Sequence, residues 1–293
     1  MRSQPTGTGI EPGAGGPRPG AAGKVGVAEA LRETWLELWY QPIIDLRRKC
    51  LAGAEALARI RHPQLGVLLP GRFLPGLDDD GHVDLAVYAI ASALEDWAVF
   101  RAAGFNLRLA VNIPVHVLGR VPIADLMAEH RPDGADWPGL TVEIPEDQIV
   151  RDIAQAQAVA AALQATGIAL SIDDFGAGYV SPSTLRDLSF AALKLNHSFV
   201  KDCATDATNA AICQTAVDLA HRFGSVAVAE GIESLADLQA LQIMGCDFGQ
   251  GVLLAPPMPK DRFLALLRQR VARSPSSAAP SSAAPSRPAA GAG

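Results

Sequence analysis

The sequence predicts an α/β fold that closes into a (β/α)8 barrel. Three observations carry this. Short β-type runs alternate with longer helical runs through most of the chain, and such alternation builds parallel strands with helical crossovers. Eight strand candidates fall within about 240 residues, close to the roughly 250 typical of such a barrel. An open doubly wound sheet usually has a glycine-rich phosphate loop after its first strand, and none is present here.

The strand candidates are residues 36–43, 50–57, 107–113, 140–144, 168–173, 191–196, 226–231 and 246–251. Each is a short run of apolar residues ended by polar or turn-forming groups. Helical patterns lie at 84–103, 153–167, 209–224 and 234–245, with apolar residues at i, i+3 and i+4 and glycine at or just after several ends. The run DDDG (78–81) reads as a loop. Residues 1–24 and 274–293 are rich in Gly, Pro, Ala or Ser and poor in large apolar groups. They cannot bury enough surface to offset the entropy of ordering, so both are expected as disordered tails around a barrel domain at 25–273.

The 293 residues are 49% hydrophobic and 19% charged, with a formal charge of -6. That suits a globular protein of one large domain. No basic stripe or DNA-binding motif is visible, which argues against a nucleic-acid surface. No apolar run reaches the length of a membrane span, and the N-terminus lacks the apolar block of a signal peptide. The four cysteines are scattered without a CxxC pair, so reduced thiols in a cytoplasmic protein are the expectation. The histidines show no ligand spacing.

In such a barrel the working residues lie at the C-terminal ends of the strands. Those ends carry Glu55, Asn112, Glu143 with Glu146 beyond, Asp173 and Asp174, Lys194 and Asn196, Glu230 with Glu233 beyond, and Gln250. One acidic strand end is most often a helix N-cap, and Lys194 alone is most simply half of a buried salt bridge. A whole series of polar strand ends is poorly explained that way. Convergent carboxylates repel one another unless cations compensate. An all-oxygen set of Asp, Glu and Asn selects Mg²⁺ or Mn²⁺. The adjacent pair Asp173–Asp174 suits two ions, a recurrent device for phosphodiester hydrolysis. Lys194 would face this cluster, where its charge is compensated and where it could orient a nucleophilic water.

At this point the residues resemble a known family. AEALAR (54–59) looks like the signature of the EAL domain. So do YQPIIDL (40–46), RHPQLG (61–66), AVNI (110–113), VEIPE (142–146), SIDDFGAGY (171–179), LKLN (193–196), VAEGIE (228–233) and GCDFGQG (245–251), in the family's order. The resemblance implies a barrel whose first strand can run antiparallel. It implies hydrolysis of cyclic di-GMP to pGpG with two Mg²⁺ or Mn²⁺ ions. By motif position, Glu55, Asn112, Glu143 and Asp173 would hold one ion, and Asp173, Asp174 and Glu230 the other. Lys194 and Glu230 would handle the attacking water. Arg59 would grip a substrate phosphate, Gln41 and Gln250 would line the cleft, and Glu146, Glu233 and Asn196 would support the loops.

The sequence also departs from the family pattern. Asn196 stands where an aspartate is usual, and Ala177 and Val180 stand where Thr and Ser are usual. Asn196 would still offer one acceptor oxygen and one donor group. The loss of a charge and two hydroxyls keeps a second reading open. In it the chain is a weakly active or inactive domain that binds cyclic di-GMP, or a regulator of gene expression, virulence or motility acting through a protein partner. Members of the family commonly form homodimers near the 174–180 loop. With no room for a second signalling domain, input is expected through expression, self-association or another protein.

Overall fold

The strands read as apolar on one face and polar or small on the other, and the fold puts the apolar face outward under helices. The computed structural model describes residues 25–131, 137–176 and 181–273. Both expected tails, and the departures at Ala177 and Val180, lie outside the described residues. The strands are β1 (Leu36–Asp45), β2 (Cys50–His62), β3 (Gly66–Leu68), β4 (Arg108–Asn112), β5 (Leu140–Pro145), β6 (Ala169–Phe175), β7 (Ala192–Leu195), β8 (Val226–Ala229), β9 (Phe248–Gly249) and β10 (Met258–Pro259).

All eight expected strands are present, and they close into a barrel in the order β1-β2-β4-β5-β6-β7-β8-β9. From β2 through β4 to β9 every neighbouring pair is parallel. β1 runs antiparallel to both β2 and β9 and closes the ring, as the resemblance led one to expect. The short β3 and β10 add antiparallel partners to β2 and β1 outside the ring. They are too short for sequence periodicity to reveal.

Alternation along the strands explains the layering. Leu109 and Val111, Val142 and Ile144, Leu170 and Ile172, Leu193 and Leu195, and Ala227 and Ala229 are all buried in one apolar cluster with the helices. The intervening residues face the barrel axis, and there the polar groups stand. The helices follow the sequence pattern, with one correction. The helix foreseen at 84–103 runs from Asp79 to Ala102, and Asp78 caps it by accepting from the Gly81 amide. DDDG is therefore a helix start, because Asp at N-cap satisfies an orphan N–H that a loop would leave to water. The helix Leu235–Met244 ends at Gly245, whose φ of 83° is the left-handed conformation that glycine adopts readily. Among the described residues no helix is long and apolar enough to cross a membrane.

The candidate active site

Period-two geometry brings the strand ends together. Lys194, on β7, is 1% exposed. Its Nζ lies 2.6 Å from Glu230, 2.7 Å from Glu143, 3.3 Å from Asp173 and 3.5 Å from Glu55. A lysine buried this deeply needs such company. Glu55 accepts a 2.6 Å hydrogen bond from Asn112 Nδ2 and another of 2.6 Å from Gln250 Nε2. Gln250 also donates to Glu230 at 3.0 Å. Thus β2, β4, β5, β6, β7 and the segments after β8 and β9 each place a group in one network.

Consecutive strand residues normally point to opposite faces, yet Asp173 and Asp174 act together. The β6–β7 register shifts between Ile172 and Phe175, and Asp174 takes a φ of 56°. A bulge with a left-handed residue re-aims a side chain, at some cost for a non-glycine residue. The result is a trio, Asp173, Asp174 and Glu230, whose ligand oxygens lie within 4.8 Å of one another. Asp173 Oδ1 is buried and has no hydrogen-bond donor, although the Lys194 charge is nearby.

The electrostatics show an excess of negative charge. Burial alone would lower the Lys194 pKa, but Glu143, Glu55, Glu230 and Asp173 outweigh it and hold it well above the ordinary lysine value. Burial pushes Glu143 well above the usual carboxylate range, and the neighbouring acids push it further, with Lys194 only partly offsetting them. Glu230 is pushed up to about 8 by burial, with Asp173 and Glu55 adding to the shift against the pull of Lys194. Burial also opposes ionisation of Glu55, but Lys194 and the donors Gln250 and Asn112 win and lower it. Burial and then Asp173 raise Asp174.

Arg59 is buried, with its guanidinium 5.8 Å from the Trp39 ring centroid. Its Nη1 donates to the Ala58 carbonyl, while its Nε has no partner. Gln41 is half-buried and donates to the Ala255 carbonyl at 3.2 Å. Glu146 is buried at the end of β5 and accepts from the Gly176 amide at 3.1 Å, so it grips the backbone just after Asp174. Glu233 is exposed and bonds to none of the described residues. Gln250 lies within the carboxylate network, 5% exposed.

Asn196 differs from the sequence expectation. β7 ends at Leu195, and Asn196 caps the helix His197–Val200. Its oxygen accepts from both the amide and the hydroxyl of Ser198, at 2.8 and 2.7 Å. Both lone pairs are thereby used, and the oxygen is not free for a water. Its Nδ2 donates to Asp174 Oδ1 at 3.0 Å. Sequence reasoning missed Ser198, which fixes that orientation, and Trp39, which lies against Arg59. Trp39 was detectable: it stands two residues before Gln41 on β1, hence on the same face.

A (β/α)8 barrel with an antiparallel first strand and a buried lysine ringed by strand-end carboxylates defines the class of protein. The model of the EAL domain matches residues 26–257, and the chain belongs to that family. Among similar proteins, the cyclic di-GMP phosphodiesterase PA2567 of Pseudomonas aeruginosa is 33% identical over 239 residues, covering 81% of this chain and 41% of the relative. The cyclic di-GMP phosphodiesterase NbdA of Pseudomonas aeruginosa is 36% identical over 235 residues, covering 79% and 30%. The chain thus spans less than half the length of these curated relatives. Among solved structures, the PaMucR phosphodiesterase in complex with c-di-GMP superposes with a TM-score of 0.74 at 31% identity, covering 81% of this chain and 97% of that one. The manganese/cy-diGMP complex of Klebsiella pneumoniae BlrP1 gives a TM-score of 0.67 at 26% identity, covering 77% and 56%.

Proposed function

We propose that this chain hydrolyses cyclic di-GMP to pGpG at the carboxylate cluster, with two Mg²⁺ or Mn²⁺ ions. The observation that carries the reading is the single ammonium of Lys194 among four carboxylates, with the Asp173–Asp174–Glu230 trio beside it. One lysine cannot balance that charge, and hard divalent cations can. The residues fit such ions: the donors are all oxygen, and Asp173 Oδ1 is buried without a donor. Asn112 turns its amide nitrogen to Glu55, which leaves its oxygen for a cation. Glu55, Asn112, Glu143 and Asp173 would hold one ion, and Asp173, Asp174 and Glu230 the second. Bound there, such ions supply Lewis acidity at the phosphodiester and ease deprotonation of water.

The chain's own residues do the rest. Lys194 holds Glu55, Glu143, Asp173 and Glu230 in one place and presents a fixed positive charge to the attacking water. Glu230 takes the proton from that water. Lys194 Nζ at 2.6 Å compensates its charge beforehand. Arg59 grips a phosphate oxygen, a contact guanidinium makes well. Gln41 lines the cleft, and Gln250 ties Glu55 to Glu230. Glu146 supports the backbone that carries Asp174.

The test is direct. Purified protein is incubated with cyclic di-GMP and Mn²⁺ or Mg²⁺, and pGpG is followed by chromatography with Glu55→Ala as the blank. Turnover absent from the blank is expected. Binding of intact cyclic di-GMP without turnover would replace the enzyme by a receptor. Absence of both would overturn either nucleotide reading and turn attention to a protein partner or a second copy of the chain.

A further inference from the structure

Beneath the carboxylate network the barrel interior changes character. Two residues before Glu55, Asn112, Glu143, Asp173, Lys194 and Glu230 stand Gly53, Ala110, Thr141, Ser171, Ala192 and Val228. All six line one cavity of about 490 Å³. Barrels of this kind usually fill such layers with Val, Ile and Leu, so the small residues account for the space. Gly53 is small of necessity, because a Cβ there would lie 2.5 Å from the Arg108 carbonyl oxygen. Ile43 and Phe248 complete the wall, Glu143 forms part of the roof, and Asn106, Arg108 and Pro138 line the N-terminal end of the barrel.

One fully buried polar atom in this layer lacks a partner among the described residues. Leu170 and Ile172 pack outward against the helices, so the intervening Ser171 points to the axis. It is 1% exposed, and its hydroxyl makes no hydrogen bond. A buried hydroxyl left in that state is costly, and an occupant that bonds it removes the penalty.

We propose that this cavity is a second ligand site, separate from the carboxylate mouth, for a small neutral molecule with an apolar body and one hydroxyl group. The volume lies within the range of small-molecule pockets. The aliphatic and aromatic wall suits an apolar body. Ser171 Oγ and the Glu143 carboxyl offer partners for one hydroxyl. Glu143 at the roof disfavours an anion, and Arg108 near the opening disfavours a cation. An occupant meets Glu143 from below, and Glu143 bonds Lys194, so occupancy bears on the network above.

The experiment titrates the full chain, with diamagnetic Mg²⁺ present, with 4-fluorophenol followed by ¹⁹F NMR. Saturable binding is expected, weakened about three- to tenfold by Ser171→Ala, the value of one hydrogen bond. 4-Fluorotoluene, which lacks the hydroxyl, should bind more weakly and be indifferent to Ser171→Ala. Ala192→Leu, which fills the cavity, should abolish binding. If that variant fails to fold, nuclear Overhauser contacts from the probe to the Ala110 and Ala192 methyls of the unaltered protein decide the matter. Non-saturable uptake, binding indifferent to Ser171→Ala, or contacts elsewhere on the molecule would overturn the proposal.

Discussion

Replacing Asn196 by aspartate exchanges a donor for an acceptor beside Asp174 while keeping the shape and the cap. Nδ2 lies 3.0 Å from Asp174 Oδ1. In the variant that contact sets two carboxylate oxygens face to face. Asp174 is exposed, so the added repulsion is screened to about 1–1.5 kcal/mol at this distance. The lost hydrogen bond to a charged acceptor adds about 1–1.5 kcal/mol at such an exposed position. The helix cap survives, because aspartate accepts from Ser198 as well as asparagine does. Without divalent cation the variant should therefore lose about 2–3 kcal/mol, or about 4–12 °C in Tm at 2–4 °C per kcal/mol. With cation the sign reverses, since the new charge faces the ion and Mn²⁺ affinity should rise about tenfold. Thermal melts in chelator and in saturating Mn²⁺, with calorimetric titration of the ion, check both halves. An unchanged Tm in chelator, or a weaker Mn²⁺ affinity, would refute the view that Asn196 holds Asp174 and lightens the charge of the site.

Three further outcomes are expected. Lys194→Met leaves buried carboxylates unpaired and should cost about 3–5 kcal/mol in chelator, partly recovered on adding Mn²⁺; equal destabilisation with and without ion would contradict the charge argument. Arg59→Ala should raise KM for cyclic di-GMP more than it lowers kcat, whereas a kcat effect alone would remove Arg59 from phosphate binding. Glu230 binds its proton more tightly in the cation-free fold than in the unfolded chain, so cation-free stability should fall as pH rises from about 4.5 to about 8. Cation binding over that range should release protons, which calorimetry in buffers of different ionisation enthalpy measures; no dependence on the buffer would be evidence against it.

The sequence made the ring strands and their polar ends legible because each is a local pattern: an apolar run, a period of two, and a residue type at its end. Glu55, Glu143, Asp173, Lys194 and Glu230 follow from that pattern alone, and the structure brings all five together. What stayed hidden depends on neighbours distant in the chain or on a single dihedral. The side-chain orientation of Asn196 is set by Ser198 and Asp174. Gln250 was placed at the site by its strand end, but its bond to Glu55, 195 residues away, was not legible. The bulge at Asp174 is a matter of one φ value. The start of the helix at Asp79 was missed for another reason: three consecutive acids look like a loop until the capping bond from Gly81 is counted.

The Gln250 contact also bears on how the protein is made. The ring closes only when β9 docks against β1, and the same docking carries Gln250 to Glu55 and Glu230. On a ribosome the acids and the lysine emerge one after another from Glu55 to Glu230, and their last hydrogen-bond donor, Gln250, follows near the end of the domain. Lys260, ten residues further on, then ties the C-terminal helix to Asp96 at 2.9 Å. Assembly of the site is thus timed to completion of the barrel, and a chain released short of residue 250 carries the acids without the amide that bridges them.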